Sequence, residues 1–279
     1  MHTIQTKNFV IHIFSDGVVA IDGGAMFGVV PKVFWQKHYP ADENNKVDLA
    51  VNCVLVKNKT SSKKILIDTG IGNKFDKKHI EIYKIRKEKD LLKHLSLLNI
   101  SPQDIYAVIN THLHFDHCGY NTVYKDGKLV ALFSKAKYFI QKKEYEYALS
   151  PDERSKASYL KENFLAIDNN QLELVDGDCE IEKGIKLIFT KSHSVGHQCV
   201  LIEDEDKKIF FAGDIIPTAF NLKVNYTSGF DLFPLDVMKI KKELLETAQK
   251  ESWTIVFPHE LNYVFGSYSE IYNNLFKQK

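Results

Sequence analysis

Four potential metal ligands, His112, His114, Asp116 and His117, crowd into six residues of this chain, and no other feature constrains its fold as much. The segment Ile105–Asn110 leads straight into them and reads as a strand. In an extended stretch, residues i and i+2 project to the same side, so His112 and His114 can grip one ion together. The chain must then turn to aim Asp116 and His117 at a neighbouring point. Imidazole and carboxylate suit Zn²⁺ and similar first-row ions. A lone histidine is usually a packed or surface residue. Three histidines and an aspartate at this spacing are hard to place on a surface by chance.

Further candidate ligands stand at predicted strand ends, where a rigid scaffold can present a side chain. Ser192-His193-Ser194-Val195-Gly196-His197 follows the run Ile185–Thr190, Asp214 ends Phe210-Phe211-Ala212-Gly213-Asp214, and His259 ends Phe257-Pro258-His259. Singly each is a weak signal, because a strand-end Asp is commonly a turn former. Together with the first cluster they supply enough ligands for two ion sites.

The rest of the chain reads as alternating strands and helices. Strands are expected at Phe9–Phe14, Val18–Ile21, Leu49–Val56, Lys64–Ile67, Tyr138–Gln141, Gln171–Val175, Ile185–Thr190, Gln198–Ile202, Lys208–Ala212 and Thr254–Phe257. Leu91, Leu92, Leu95 and Leu98 recur at helical spacing, so Asp90–Leu98 is an amphipathic helix. Ser101-Pro102 then offers a cap residue followed by Pro at a first helical position. Lys142–Leu149, Asp152–Phe164 and about Leu235–Gln249 also read as helical. Two β-rich halves with helices outside imply an α/β layered fold in which two sheets face each other. No repeat or linker cuts the 279 residues, so one domain is expected over 1–279, with an N-terminal extension at about 22–45.

Composition excludes several classes. Lys+Arg is 37 against 36 Asp+Glu, for a formal net charge of +1, and only Arg86 and Arg154 are arginines. Such a chain offers no basic face and almost no bidentate phosphate ligand, so a nucleic-acid partner is not expected. The N-terminus lacks a signal-peptide pattern, and no apolar run nears the roughly 18 residues of a membrane span. A soluble, cytoplasmic protein is expected. Cys53, Cys118, Cys179 and Cys199 form no C-x-x-C pair and read as reduced thiols. Cys118, beside the histidines, is the one that could lie near a metal.

His112-x-His114-x-Asp116-His117, then His193, Asp214 and His259, in that order, resembles the metallo-β-lactamase superfamily. The match covers essentially the whole chain. The resemblance implies the four-layer αββα sandwich with two divalent ions at one edge of the sheets, Zn²⁺ first and Mn, Fe or Co as alternatives. It implies His112, His114 and His193 for one ion and Asp116, His117 and His259 for the second, with Asp214 bridging. His197 is then a residue that orients a ligand. True β-lactamases usually carry Cys where Asp214 stands, which argues against antibiotic hydrolysis.

A narrower likeness lies in Asp22-Gly23-Gly24-Ala25-Met26-Phe27-Gly28-Val29-Val30-Pro31-Lys32, Trp35 and Tyr39-Pro40, which is similar to the YtnP-like quorum-quenching lactonases. On residues alone, this Gly/Pro-rich apolar loop is either core packing or a lid. The resemblance favours a lid and a homodimer contact, with Met26 and Phe27 receiving the substrate tail. One departure stands out. The lactonases carry a carbonyl-polarising tyrosine three residues after the bridging aspartate, where this chain has Pro217. Polarisation then falls to a metal or to another donor, of which Tyr226 is the candidate.

These expectations converge on a dinuclear hydrolase in which a metal-bridging hydroxide opens a lactone of the N-acyl homoserine type. Metal binding brings water's pKa from 15.7 towards about 7. Asp116 would orient the nucleophile and carry its proton to the leaving group. A small-molecule ester or lactone is the expected partner, with neither nucleic acid nor membrane. The alternatives are a phosphotriester or thioester hydrolase of the same fold, and a non-catalytic metal-binding sensor. All seven ligand positions being filled speaks against the sensor, since structural sites usually close with four.

Overall fold

Long β-branched and aliphatic runs dominate the N-terminal part, and the strands they form are buried on both faces, as Leu49–Val56 illustrates. The computed structural model describes residues 1–205 and 207–277. Strands β1 (His2–Gln5), β2 (Phe9–Asp22), β3 (Lys46–Asn58), β4 (Lys64–Ile67), β5 (Ala107–Ile109), β6 (Thr122–Lys125), β7 (Lys128–Ala131), β8 (Lys137–Gln141) and β9 (Leu172–Val175) come first in the chain. Seven of them form a sheet in the order β1-β2-β3-β4-β5-β8-β9, while β6 and β7 make a separate hairpin. The sheet is mixed: β3 pairs antiparallel with β4, and β4, β5, β8 and β9 run parallel. Strands β10 (Cys179–Glu182), β11 (Ile185–Phe189), β12 (Gln198–Glu203), β13 (Lys208–Phe211), β14 (Thr254–Val256) and β15 (Phe265–Ser267) follow and form a six-stranded sheet in sequence order.

The chain divides into two compact units. The first comprises Met1–Gly17 and Val51–Gly177, the second Val18–Ala50 and Asp178–Lys279. In the first, Phe14, Leu55, Leu66, Leu91, Leu95, Val108, Tyr138 and Phe164 belong to one buried cluster. The helix Leu91–Leu97 places Leu91 and Leu95 there, and Asp90 caps it by accepting from the Lys93 N–H at 2.8 Å. In the second, the 17-residue helix Pro234–Lys250 sends Val237, Leu245 and Ala248 into a cluster with Phe210, Trp253, Ile255 and Phe257. Among the described residues no helix is long and apolar enough to cross a membrane.

The α/β class with mixed sheets is the one expected, and helix Lys142–Leu149 has the expected bounds. Several local expectations are corrected. Phe9–Phe14 and Val18–Ile21 are one strand, because Ser15-Asp16-Gly17 is not a turn. Gly17 passes through at φ +149, where a Cβ would lie 2.8 Å from the Arg86 carbonyl oxygen. Asp16, in the middle of this strand, is fully buried. Asp152–Phe164 is not an α-helix but two single 3₁₀ turns, Lys156–Ser158 and Lys161–Asn163. Asp152 captures the Ser155 N–H at 2.9 Å, and Tyr159 turns inward to donate to Glu144 at 2.9 Å. Strands β1, β6, β7, β10 and β15 are too short for an apolar pattern to stand out from sequence, and the helix Tyr268–Phe276, capped by Ser267, lies outside the expected helices.

Candidate functional site

In the first unit, β5 ends at Ile109 and the chain runs through Asn110 and Thr111 to His112, then enters the four-residue helix Phe115–Cys118. His112, His114, Asp116 and His117 are all buried, none more than 9% exposed. His112 Nε2 and His114 Nδ1 lie 2.9 Å apart. Two ring nitrogens that close fit either a single N–H···N bond or a cation shared between two lone pairs. The outer nitrogens have other partners. His112 Nδ1 is 3.1 Å from Thr111 Oγ1, and His117 Nδ1 is 2.8 Å from Asp68 Oδ2. His117 is thereby left to use Nε2 inward, where Asp116 Oδ2 stands at 3.8 Å. Ligating histidines are commonly held in this way, with the second nitrogen on a carboxylate or carbonyl that fixes tautomer and ring plane.

Asp68 also accepts from the Thr111 N–H at 2.7 Å and its hydroxyl at 2.8 Å. Burial pushes the Asp68 carboxyl up from the ordinary carboxylate range, while His117 beside it pulls the other way. The loop after β4 is docked on the ligand loop by backbone bonds, Thr69 N to His117 O at 2.8 Å and Gly119 N to Gly70 O at 2.7 Å. Gly119 allows that approach, since a Cβ there would fall 2.1 Å from the Ile71 carbonyl carbon. Behind the loop, the fully buried Asp16 accepts from Ile71 N, Gly72 N, Leu91 N and Lys87 Nζ at 2.7–3.1 Å. Glu144 accepts from the Leu113 N–H at 3.0 Å, and the Tyr159 ring lies 4.8 Å from His114. Cys118 is buried on the same helix with Sγ 3.2 Å from the His114 carbonyl oxygen. Burial drives its pKa up, so it is a thiol that donates to backbone.

In the second unit, three strand ends present the remaining candidates. His193 follows β11, Asp214 sits in the 3₁₀ turn Gly213–Ile215 after β13, and His259 follows β14. Asp214 lies between the two imidazoles, with Oδ2 3.4 Å from His193 Nε2 and Oδ1 3.2 Å from His259 Nε2. Each imidazole is held from behind. His193 Nδ1 is 2.8 Å from Asp231 Oδ1, and His259 Nδ1 donates to the Ala50 carbonyl at 2.9 Å. His197 Nε2 accepts from the Asp214 N–H at 2.9 Å, so its Nδ1 carries the proton and donates to Thr190 Oγ1 at 2.6 Å. His197 therefore holds the backbone of Asp214.

The other candidates are placed as follows. Met26 and Phe27 are buried, at 3% and 0% exposure. The Phe27 ring meets Trp35 at 5.1 Å, Tyr39 at 5.0 Å and Phe220 at 5.6 Å, so its apolar surface is covered by side chains of its own unit. Tyr226 is half-buried with its ring 4.8 Å from Phe220, and its carbonyl accepts from Lys241 Nζ at 2.7 Å. Pro217 accepts at its carbonyl from the His259 N–H at 2.9 Å.

Sequence reasoning missed Asp68 and Asp231. They lie 49 and 38 residues from the histidines they hold, and Asp68-Thr69-Gly70 reads equally well as a turn. It also missed an aromatic group beside the first ligand loop, where Phe115 meets Phe75 at 5.4 Å and Tyr83 at 5.2 Å.

Comparison with known proteins gives the family. The family model of the metallo-beta-lactamase superfamily matches residues 47–259. An N-acyl homoserine lactonase of Bacillus cereus is 32% identical over 229 residues, covering 78% of this chain and 84% of that one. A probable metal-dependent hydrolase from Staphylococcus aureus superposes with a TM-score of 0.89 at 31% identity, over 95% of this chain and 94% of the other. An N-acyl homoserine lactone hydrolase, solved with N-hexanoyl-L-homoserine at its catalytic metal centre, gives a TM-score of 0.68 at 25% identity, over 90% and 93% of the two chains. The chain therefore belongs to the metallo-β-lactamase superfamily, as one of its metal-dependent hydrolases with lactonases among its relatives.

Proposed function

We propose that this protein is a dinuclear lactonase that opens N-acyl homoserine lactones. In this reading His112, His114 and His193 would hold one divalent ion, Asp116, His117 and His259 would hold the second, and Asp214 would serve both. A nitrogen-rich donor set with carboxylates suits zinc. The observation that carries the reading is Asp214, with one carboxylate oxygen towards each of two imidazoles that are themselves held from behind. The lactonase relatives supply the substrate class.

When bound, the two ions would lower the pKa of water towards about 7 and polarise the carbonyl. The chain's own residues do the rest. Asp116 orients the nucleophile and carries its proton to the departing ring oxygen. Asp68 and Asp231 keep His117 and His193 in one tautomer and one ring plane. Proline at 217 offers no phenol, so Tyr226 is the donor this reading assigns to the carbonyl oxygen. The ring of Phe115, next to Asp116 in sequence, and those of Phe75 and Tyr83 packed against it suit an acyl tail.

Ring opening turns a neutral ester into a carboxylic acid, so a pH-indicator assay on zinc-loaded protein reads it directly. The expected result is acid release from N-acyl homoserine lactones and its loss in Asp214→Ala. Turnover of thioesters or phosphotriesters, with no acid from any lactone, would overturn the reading.

A further inference from the structure

In segment 22–45 the Tyr39 side chain reaches the ligand loops of its unit. Tyr39 donates its phenol proton to Glu260 Oε2 at 2.5 Å. The same oxygen accepts from the Ala219 N–H at 3.0 Å, and Oε1 accepts from the Asn262 N–H at 3.2 Å. Glu260 is 1% exposed and follows His259 directly. Burial first, and the Glu260 carboxylate second, push the Tyr39 pKa well above its ordinary value, so the phenol remains a donor. Hydrogen bonds of a phenol to a carboxylate are the short, strong kind.

The surroundings of His259 make that bond consequential. Its N–H is tied to the Pro217 carbonyl at 2.9 Å and its Nδ1 to the Ala50 carbonyl at 2.9 Å. Pro217 and Ala219 belong to the stretch just after Asp214, so Glu260 ties that stretch to the His259 loop. Tyr39 is itself fixed by its ring against Phe27 at 5.0 Å, and Phe27 by Trp35 at 5.1 Å. An unbroken set of contacts therefore runs from the aromatic part of segment 22–45 through Tyr39 and Glu260 to the loop holding His259 near Asp214.

We propose that Tyr39 and Glu260 are positioning residues for His259, and that segment 22–45 braces the ion His259 would hold. The proposal rests on the reading of His259 as a ligand. Removing a partner that orients a metal ligand typically weakens the ion by 10- to 100-fold.

The test is metal titration of Tyr39→Phe, which keeps the ring and removes only the hydroxyl. Zinc is titrated against a competing chelator, alongside the melting temperature of the metal-free protein. The expected result is about a 10- to 100-fold loss of affinity for one of two ions, with the other unchanged and the metal-free melting temperature nearly so. Activity should return at high zinc. Glu260→Gln, which keeps an acceptor for Ala219, is expected to weaken the same ion less. Wild-type affinity for both ions in Tyr39→Phe would overturn the brace. So would an equal loss of both with a fall in metal-free melting temperature, the mark of a merely structural role. His259→Ala separates the two levels: if it keeps both ions, the ligand reading itself fails; if it loses one while Tyr39→Phe loses none, only the brace fails.

Discussion

Replacing Phe27 by alanine separates packing from substrate contact in segment 22–45, which the residues alone leave open between lid and core. The ring is fully buried, with three aromatic neighbours at 5.0–5.6 Å. Removing a buried Phe forfeits roughly 1.5–3 kcal/mol of transfer free energy. Each aromatic pair adds about 0.5–1.5 kcal/mol, and the cavity left behind brings Phe→Ala to about 3–5 kcal/mol. Relaxation of Met26 and Trp35 into the space would set where in that range the loss falls. At about 2–4 °C per kcal/mol for a chain somewhat shorter than this one, the melting temperature should fall by roughly 6–20 °C. Because Phe27 packs on Tyr39, a fall in zinc affinity should accompany it. The assay pairs thermal unfolding of zinc-loaded protein with kcat/KM on N-acyl homoserine lactones of increasing tail length. The structure predicts a stability loss with an even effect across tail lengths. An unchanged melting temperature, with KM rising only for long tails, would refute this and make Phe27 a wall for the substrate.

Three further outcomes are expected. Asp68→Asn should weaken zinc by about 10- to 100-fold through His117, read by chelator competition, and wild-type affinity would show that the 2.8 Å contact is incidental. Asp16→Ala leaves Lys87 without its carboxylate and three backbone N–H groups without an acceptor, so denaturant unfolding should show a loss of about 3–5 kcal/mol. Burial holds the His94 pKa below its ordinary 6.5, with the N-terminal amine adding to this. Its share of stability is therefore complete above the unfolded value and is lost as pH falls through it. Asp16, pushed up to about 6 by burial, works in the opposite sense, its share being lost as pH rises through that value. The readout is thus a difference: in metal-free protein, His94→Phe should lose less stability than wild type between about pH 8 and about pH 5.5. Parallel curves would count against a neutral His94.

What could be read from the residues alone was whatever has a short sequence range. The cluster His112–His117 carries its own geometry, because alternation in an extended segment puts two imidazoles on one side whatever the rest of the chain does. Helix Leu91–Leu97 announces itself through its leucine spacing. Strand ends at Asp214 and His259 follow from apolar runs that stop at a carboxylate or an imidazole.

Tertiary structure decided everything that depends on which distant groups meet. Asp16 and Asp68 both occur in stretches, Ser-Asp-Gly and Asp-Thr-Gly, that local chemistry assigns to turns. Burial turned them into acceptors for backbone amides, Lys87, Thr111 and His117 instead. Asp231 is one of many acidic residues until the fold sets it 2.8 Å from His193. Segment 22–45 shows the same limit in apolar form. Its composition allows cover or core equally, and only the fold brings the rings of Trp35, Tyr39 and Phe220 around Phe27. A side chain's type sets which bonds it can make, but a buried polar or aromatic group is stabilised only by the partners that close around it, and those are chosen by the fold.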